Sequence, residues 1–278
     1  MEPLLEIKHL NIEFHDHKEP EKVVSDMNLR IDPGDIIGIV GESGSGKSMT
    51  ALAVAGLLSR HDLEKQGEIL FDGKNLLTCP RQELRHYQGN DISMIFQEPM
   101  TSLNPVKRIG WQVEESLRIH KDLTPEERKK LAIEALASVG LDDPEELYHR
   151  YPHELSGGMR QRVMIAAAMI CEPLLLIADE PTTALDVTVQ AQIVRLLQKI
   201  NRERGTAILF ISHDLSLVRQ LCSRVVVMQH GVCVEQGDCE QIFHHPKEEY
   251  TKKLIDAIPR CRKLRPSVSA NETGYVGI

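Results

Sequence analysis

Ile36-Ile37-Gly38-Ile39-Val40-Gly41-Glu42-Ser43-Gly44-Ser45-Gly46-Lys47-Ser48-Met49 is the stretch on which the reading of this chain turns. Ile36, Ile37, Ile39 and Val40 are β-branched and closely spaced, as in a strand buried on both faces. Met49, Leu52, Ala53 and Leu57 then recur at helical spacing, so a glycine-rich loop joins a strand to a helix. In that setting G-x-x-x-x-G-K-[ST] is an anion cradle. Its glycines let successive backbone N–H groups converge on one point. The helix that starts near Lys47 adds the positive end of its dipole. Lys47 suits terminal phosphates as a point charge, and the Ser48 hydroxyl suits Mg²⁺. A Gly/Ser-rich surface turn would share the loop's composition but would not need the strand before it and the helix after it. The stretch predicts a nucleoside triphosphate site.

The rest of the composition narrows the class. The chain has 278 residues, long enough for one large domain or two small ones. Lys+Arg 33 against Asp+Glu 41 gives a net charge of -8, the wrong sign for a general nucleic-acid binder. The one basic cluster, Arg260-Cys261-Arg262-Lys263-Leu264-Arg265, reads as a solvated tail. No apolar run approaches the roughly 18 residues of a membrane span. The N-terminus does not have the pattern of a signal peptide, so a cytosolic or membrane-peripheral protein is expected. Cys79, Cys171, Cys222, Cys233, Cys239 and Cys261 are scattered without C-x-x-C and read as reduced thiols. The pairs His15/His17 and His244/His245 lie in polar stretches without a metal-site pattern.

Along the chain, Leu5 to Phe14 and Val23 to Ile31 read as an antiparallel pair ahead of the phosphate-loop strand, with Asp32-Pro33-Gly34-Asp35 as a turn. Phe14 is equally suited to stacking on a nucleotide base and to plain core packing. Gly67 to Gly73 reads as a strand closed by Asp72-Gly73. From Glu98 to about Ala168 the signals are helical. There Thr124-Pro125-Glu126-Glu127 is a capped start, Leu131, Ala135, Leu136 and Val139 are the apolar stripe, and Gly140 is the stop. Leu174 to Glu180, Val187 to Ile200 and Ala207 to His213 resume a strand-helix-strand core. Val225 to Met228 and Val232 to Glu235 are short strands, and Tyr250 to Ile258 is a last helix.

Three apolar strands thus end on polar residues: Gln97, Asp179-Glu180 and His213. Such ends lie on the ligand side of an open α/β sheet. Asp179 suits Mg²⁺, and Glu180 suits the role of general base toward water. His213 suits a γ-phosphate, and Gln97 the metal or the water. Leu155-Ser156-Gly157-Gly158-Met159 is a second glycine-rich helix start, with Ser156 as N-cap. It lies too far along the chain to be a second phosphate loop. Two chains closing on one triphosphate would use both helix ends.

Together these residues resemble the ABC ATPases, in that family's order and over nearly the whole chain. Gly41, Glu42, Ser43, Gly44, Ser45, Gly46, Lys47, Ser48 and Met49 resemble the Walker A, and Gln97 the Q-loop. Leu155, Ser156, Gly157, Gly158 and Met159 resemble the signature motif. Asp179 with Glu180 looks like Walker B plus the catalytic glutamate, Asp186 the D-loop aspartate and His213 the H-loop, while Phe14 is similar to the A-loop aromatic. The resemblance implies an α/β fold. It has a P-loop (RecA-like) core over 1–97 and 169–245 with an N-terminal antiparallel β flap, an inserted α-helical subdomain over 98–168, and a C-terminal extension over 246–278. It implies ATP and Mg²⁺, the metal being held by Ser48, Gln97 and Asp179. It also implies a second ABC ATPase chain, membrane permeases and, indirectly, an extracytoplasmic binding protein, at the cytoplasmic side of the membrane.

Phe96 to Pro105, Ala184 to Gln192 and the tail from His245 to Pro259 resemble the importer branch for dipeptides, oligopeptides and nickel. Longer members of that branch continue into a cysteine-rich segment resembling an iron–sulfur site. Here only Cys261 stands near it, so no cluster is expected, and the length fits nickel or metallophore importers somewhat better. DNA-repair members with long coiled coils and translation members with two ATPase domains fit the motif spacing less well. A binding module without turnover is opposed by Glu180 and His213.

Overall fold

The computed structural model describes residues 2–15, 20–59, 62–97, 102–183 and 185–258. Its strands are β1 (Leu5–Phe14), β2 (Glu21–Ile31), β3 (Ile36–Val40), β4 (Leu63–Phe71), β5 (Lys74–Asn75), β6 (Ile92–Ile95), β7 (Leu175–Asp179), β8 (Ala207–Ile211), β9 (Arg224–Gln229) and β10 (Val232–Asp238). The helices are α1 (Lys47–Val54), α2 (Arg81–Tyr87), α3 (Ile109–Val113), α4 (Glu115–His120), α5 (Pro125–Ser138), α6 (Pro144–His149), α7 (Gly157–Met169), α8 (Val187–Arg204), α9 (Leu215–Leu221), α10 (Cys239–His244) and α11 (Glu249–Asp256).

The strands form one sheet in the order β5-β4-β1-β2-β10-β9-β3-β8-β7-β6. From β9 to β6 every pairing is parallel. β3, β7 and β8 are buried at every position, which explains their near-continuous apolar sequences. The period of two still sorts them into layers. Ile36, Val40, Leu176, Ala178, Ile208 and Phe210 join the core beneath the helices. Ile37, Ile39, Leu175, Ile177, Leu209 and Ile211 join the core shared with α1 and the flap.

The flap is larger than the predicted pair. β4 runs antiparallel to β1 from Leu5↔Phe71 to Phe14↔Leu63, and β5 extends it. The flap meets the parallel half through one pair, Val232↔Ser25. β4 begins at Leu63 rather than at Gly67, because Gly67 is a mid-strand irregularity and not a strand start. Its φ is +100, and a side chain there would run into the backbone carbonyls of Lys8 and His9, where the register of β1 shifts.

Two helical stripes also differ from the sequence reading. α1 ends at Val54: Gly56 (φ +68) and Leu57 fold back, their N–H groups donating to Ala53 O at 3.1 Å and Leu52 O at 2.9 Å. Leu57 therefore lies beyond the helix and is 43% exposed, while Ala51, Ala53 and Val54 supply the buried face. In α5 the capping box at Thr124 and Glu127 is present and Leu136 and Val139 are buried as expected, but Ala132 joins them and Leu131 is 37% exposed. α3 to α7 lie between β6 and β7 in the chain. Among the described residues the last helix is Glu249–Asp256, two residues short of the predicted Ile258. Among the described residues Cys79, Cys171, Cys222, Cys233 and Cys239 are free thiols. His17, Met100, Thr101, Ala184 and everything from Pro259, including Cys261 and the basic cluster, lie outside the described residues.

Candidate active site at the carboxyl ends of the parallel strands

β3 delivers the phosphate loop, and the neighbouring strands dictate its glycines. Gly41 has φ +152, and a side chain there would strike the Met228 carbonyl of β9. Gly46 has φ +96, and its added Cβ would stand 2.7 Å from Val23 O in β2. Only glycine meets both demands. Lys47 opens α1 and is 5% exposed. Its Nζ donates to Gly41 O at 2.9 Å and to Glu42 O at 2.8 Å. Burial holds its pKa below the ordinary lysine value, against the opposing pull of Glu180 and Asp179.

Asp179 ends β7 and is 5% exposed. Ser48 Oγ donates to its Oδ1 at 3.1 Å. Burial pushes the Asp179 carboxyl above its usual pKa, the Ser48 bond opposes this, and the charge of Glu180 reinforces it. Paired hydroxyl and carboxylate oxygens are donors that hard divalent cations take.

Glu180 follows with φ +45, a costly conformation for a residue with a side chain. It is pinned by its N–H donating to Ile211 O at 2.9 Å and by its carbonyl accepting from Thr183 N at 3.1 Å. Three groups converge on Glu180 Oε2: Gln97 Nε2 at 2.9 Å, Thr183 Oγ1 at 2.9 Å and His213 Nδ1 at 3.2 Å. The strand-end residues Gln97, Glu180 and His213 are therefore in direct contact, and the Ser48–Asp179 pair is one residue away in sequence.

The second glycine-rich stretch is built as a helix start. Leu155 is buried, and Ser156 Oγ accepts from Met159 N at 3.3 Å. A Cβ on Gly158 would stand 3.0 Å from Val189 on α8, so close helix packing selects glycine there. Gly157 differs: its added Cβ would meet only Leu185, at an ordinary 3.8 Å. Among the described residues nothing demands glycine at 157. Asp186 caps α8, accepting from Val189 N at 3.0 Å. Phe14, at the end of β1, is half-buried and packs on the flap core.

An ABC transporter family model matches residues 24–183, more than half of the chain, with the phosphate loop, Gln97, the signature stretch and Asp179-Glu180 inside it. The chain belongs to the ABC transporter family. It is an ABC ATPase, and an oligopeptide/dipeptide transporter C-terminal region matches residues 234–273. It is 50% identical over 94% of its length, and 80% of the relative's, to the oligopeptide transport ATP-binding protein OppD of Haemophilus influenzae. It is 46% identical to the dipeptide transport ATP-binding protein DppD of the same organism, over 92% and 78% of the two chains. Among solved structures it resembles the dimeric post-hydrolysis ATP-binding cassette MJ0796 bound to ADP and Pi, with TM-score 0.76, 28% identity and 84% and 98% coverage.

Two contacts of this ABC site are absent from the sequence reading. Thr183 lies three residues after Glu180, in a turn whose course depends on the positive φ of Glu180. Tyr250, whose hydroxyl accepts from Glu42 N at 3.1 Å, carries no local signal because its partner is 208 residues away.

Proposed function

We propose that this chain is the ATP-hydrolysing motor subunit of an importer for peptides. The observation that supports this reading best is the convergence of Gln97, Thr183 and His213 on Glu180 beside the Ser48–Asp179 pair. In this reading Gly41 to Met49 cradle the phosphates and Phe14 stacks on the base. Ser48, Asp179 and Gln97 would hold Mg²⁺, whose charge would neutralise the phosphates when bound. Glu180 draws the proton from the attacking water as general base, and His213 keeps that carboxylate aimed at it. Leu155 to Met159 complete the site from a second chain, with Asp186 at the same seam. Residues 1–97 and 169–245 form the catalytic core, 98–168 the helical subdomain and 246–278 the extension.

Closure of two such chains on ATP, and their reopening after hydrolysis, would drive a membrane permease from the cytoplasmic face. Peptides are favoured over nickel chelates because OppD and DppD are named for oligopeptides and dipeptides. Co-purification of the tagged chain with its permease, followed by ATPase assays with peptide-loaded binding protein, tests the proposal. Peptide-stimulated turnover is expected. Stimulation by a nickel chelate alone would overturn the cargo, and isolation without any permease would overturn the transport role.

A further inference from the structure

Helix α11, the last among the described residues, reaches the phosphate loop through a hydrogen bond. Glu42 N–H donates to the Tyr250 hydroxyl at 3.1 Å. That N–H belongs to the same peptide unit as Gly41 O, which accepts from Lys47 Nζ at 2.9 Å. A trans peptide sends its N–H and C=O in opposite directions, so Tyr250 and Lys47 hold the two ends of one plane. That plane turns about Gly41 ψ and Glu42 φ, and a glycine on one side lowers the steric barrier to the turn. A rotated plane would take one of two close carbonyls from a buried ammonium, leaving it Glu42 O at 2.8 Å and Ser45 Oγ at 3.5 Å.

Tyr250 is itself held in place. Glu235 on β10 accepts from Lys247 N at 2.9 Å and Glu248 N at 3.2 Å, anchoring the start of α11. Tyr250, Leu254 and Ile255 pack on the helical-side core. We propose that Tyr250 is a positioning residue of the phosphate loop, fixing the Gly41–Glu42 peptide so that Lys47 is aimed at the nucleotide. The C-terminal segment and the nucleotide then sense each other through this peptide, with equal coupling in both directions. The proposal rests on the phosphate-binding role assigned to Lys47.

Tyr250→Phe keeps the packed ring and removes only the hydroxyl. Losing one neutral hydrogen bond should raise the Kd for ATP, measured by equilibrium dialysis with radiolabelled ATP, by roughly 3- to 10-fold. KM for ATP should rise with it while kcat stays within about twofold, the pattern of lost ground-state positioning. In a Lys47→Ala background the same substitution should change Kd by less than about twofold, since the two residues act through one peptide. In the wild-type protein, the Glu42 amide should be protected from hydrogen exchange, a measurement that needs no variant. Wild-type ATP affinity in Tyr250→Phe, an equal loss in both backgrounds, or an unprotected Glu42 amide would each overturn the proposal. Wild-type affinity in Lys47→Ala alone would overturn the phosphate-loop reading beneath it, and is told apart because it appears before Tyr250 is changed.

Discussion

Lys47 and Asp179 carry opposite charges that burial disfavours, and this sets their energetic character. The Asp179 carboxyl has its folded pKa raised above the unfolded value, so its ionised form costs stability above that raised pKa. The cost shrinks as pH falls below that raised pKa and is gone below the unfolded value. Lys47 is the mirror case: with a lowered folded pKa, its charged form costs stability at neutral pH. A bound cation relieves the first cost and a bound anion the second. Asp179→Asn should therefore melt higher than wild type in nucleotide-free buffer, by calorimetry, while MgATP turnover falls by about 10²-fold or more. A lower melting point would show that the carboxylate stabilises the fold. Glu180→Gln keeps size and hydrogen bonding to Gln97 and Thr183, so ATP should still bind while turnover drops about 10²-fold or more. Normal turnover would assign the base elsewhere. Lys47→Ala should lose most ATP affinity in a filter-binding titration, because no other cation is so placed in the loop. At this scale the strand-end residues were legible because an apolar strand that stops on a polar group announces where that group points. Thr183 and Tyr250 were not: one comes from a turn whose course depends on the positive φ of Glu180, the other from a helix far along the chain.

Elements follow from their caps more reliably than from their stripes. Thr124 and Glu127 were read as the start of α5 and are so, because a capping box is a local arrangement of side chain and backbone. Thr124→Ala should cost about 1 kcal/mol, visible as faster amide exchange in the first turn of α5. Its melting point should fall by roughly 2 °C in a chain of this size. An unchanged exchange rate would mean that tertiary packing alone holds that turn. The stripes were harder, because Leu131 and Leu57 are apolar yet exposed, and an apolar residue outside the core is ordinary. Ala132 in α5 and Ala51 in α1 are buried in addition, small enough for close approach and too small to stand out in a hydrophobic pattern. The sequence pattern places the start of β4 at Gly67, four residues late, because a glycine there reads as a boundary. What makes Gly67 necessary is the carbonyl of His9 on a neighbouring strand, and that crowding belongs to the pairing and not to β4 alone.

On the scale of the whole molecule, the contrast between Gly157 and Gly158 carries the argument for a two-chain site. A side chain at 158 would crowd Val189 at 3.0 Å, whereas at 157 the described residues leave room that they do not themselves use. A glycine with space around its Cβ position, at the exposed start of a helix capped by Ser156, suits the approach of a phosphate from outside the chain. Gly157→Asp would place a carboxylate against that phosphate, in a site from which water is largely excluded. ATP binding to the single chain should survive, because Lys47 and its loop are untouched. ATP-driven dimerisation, followed by light scattering, and hydrolysis should both fail. In a mixed dimer with a Lys47→Ala chain, the intact loop of one protomer would face the intact Gly157 of its partner, and the other site would lack both. Mixing the two inactive variants should therefore restore hydrolysis, with at most one working site in each mixed dimer. Two variants that stay inactive when mixed, or a Gly157→Asp chain that no longer binds ATP by itself, would place the signature stretch and the phosphate loop in the same protomer's site.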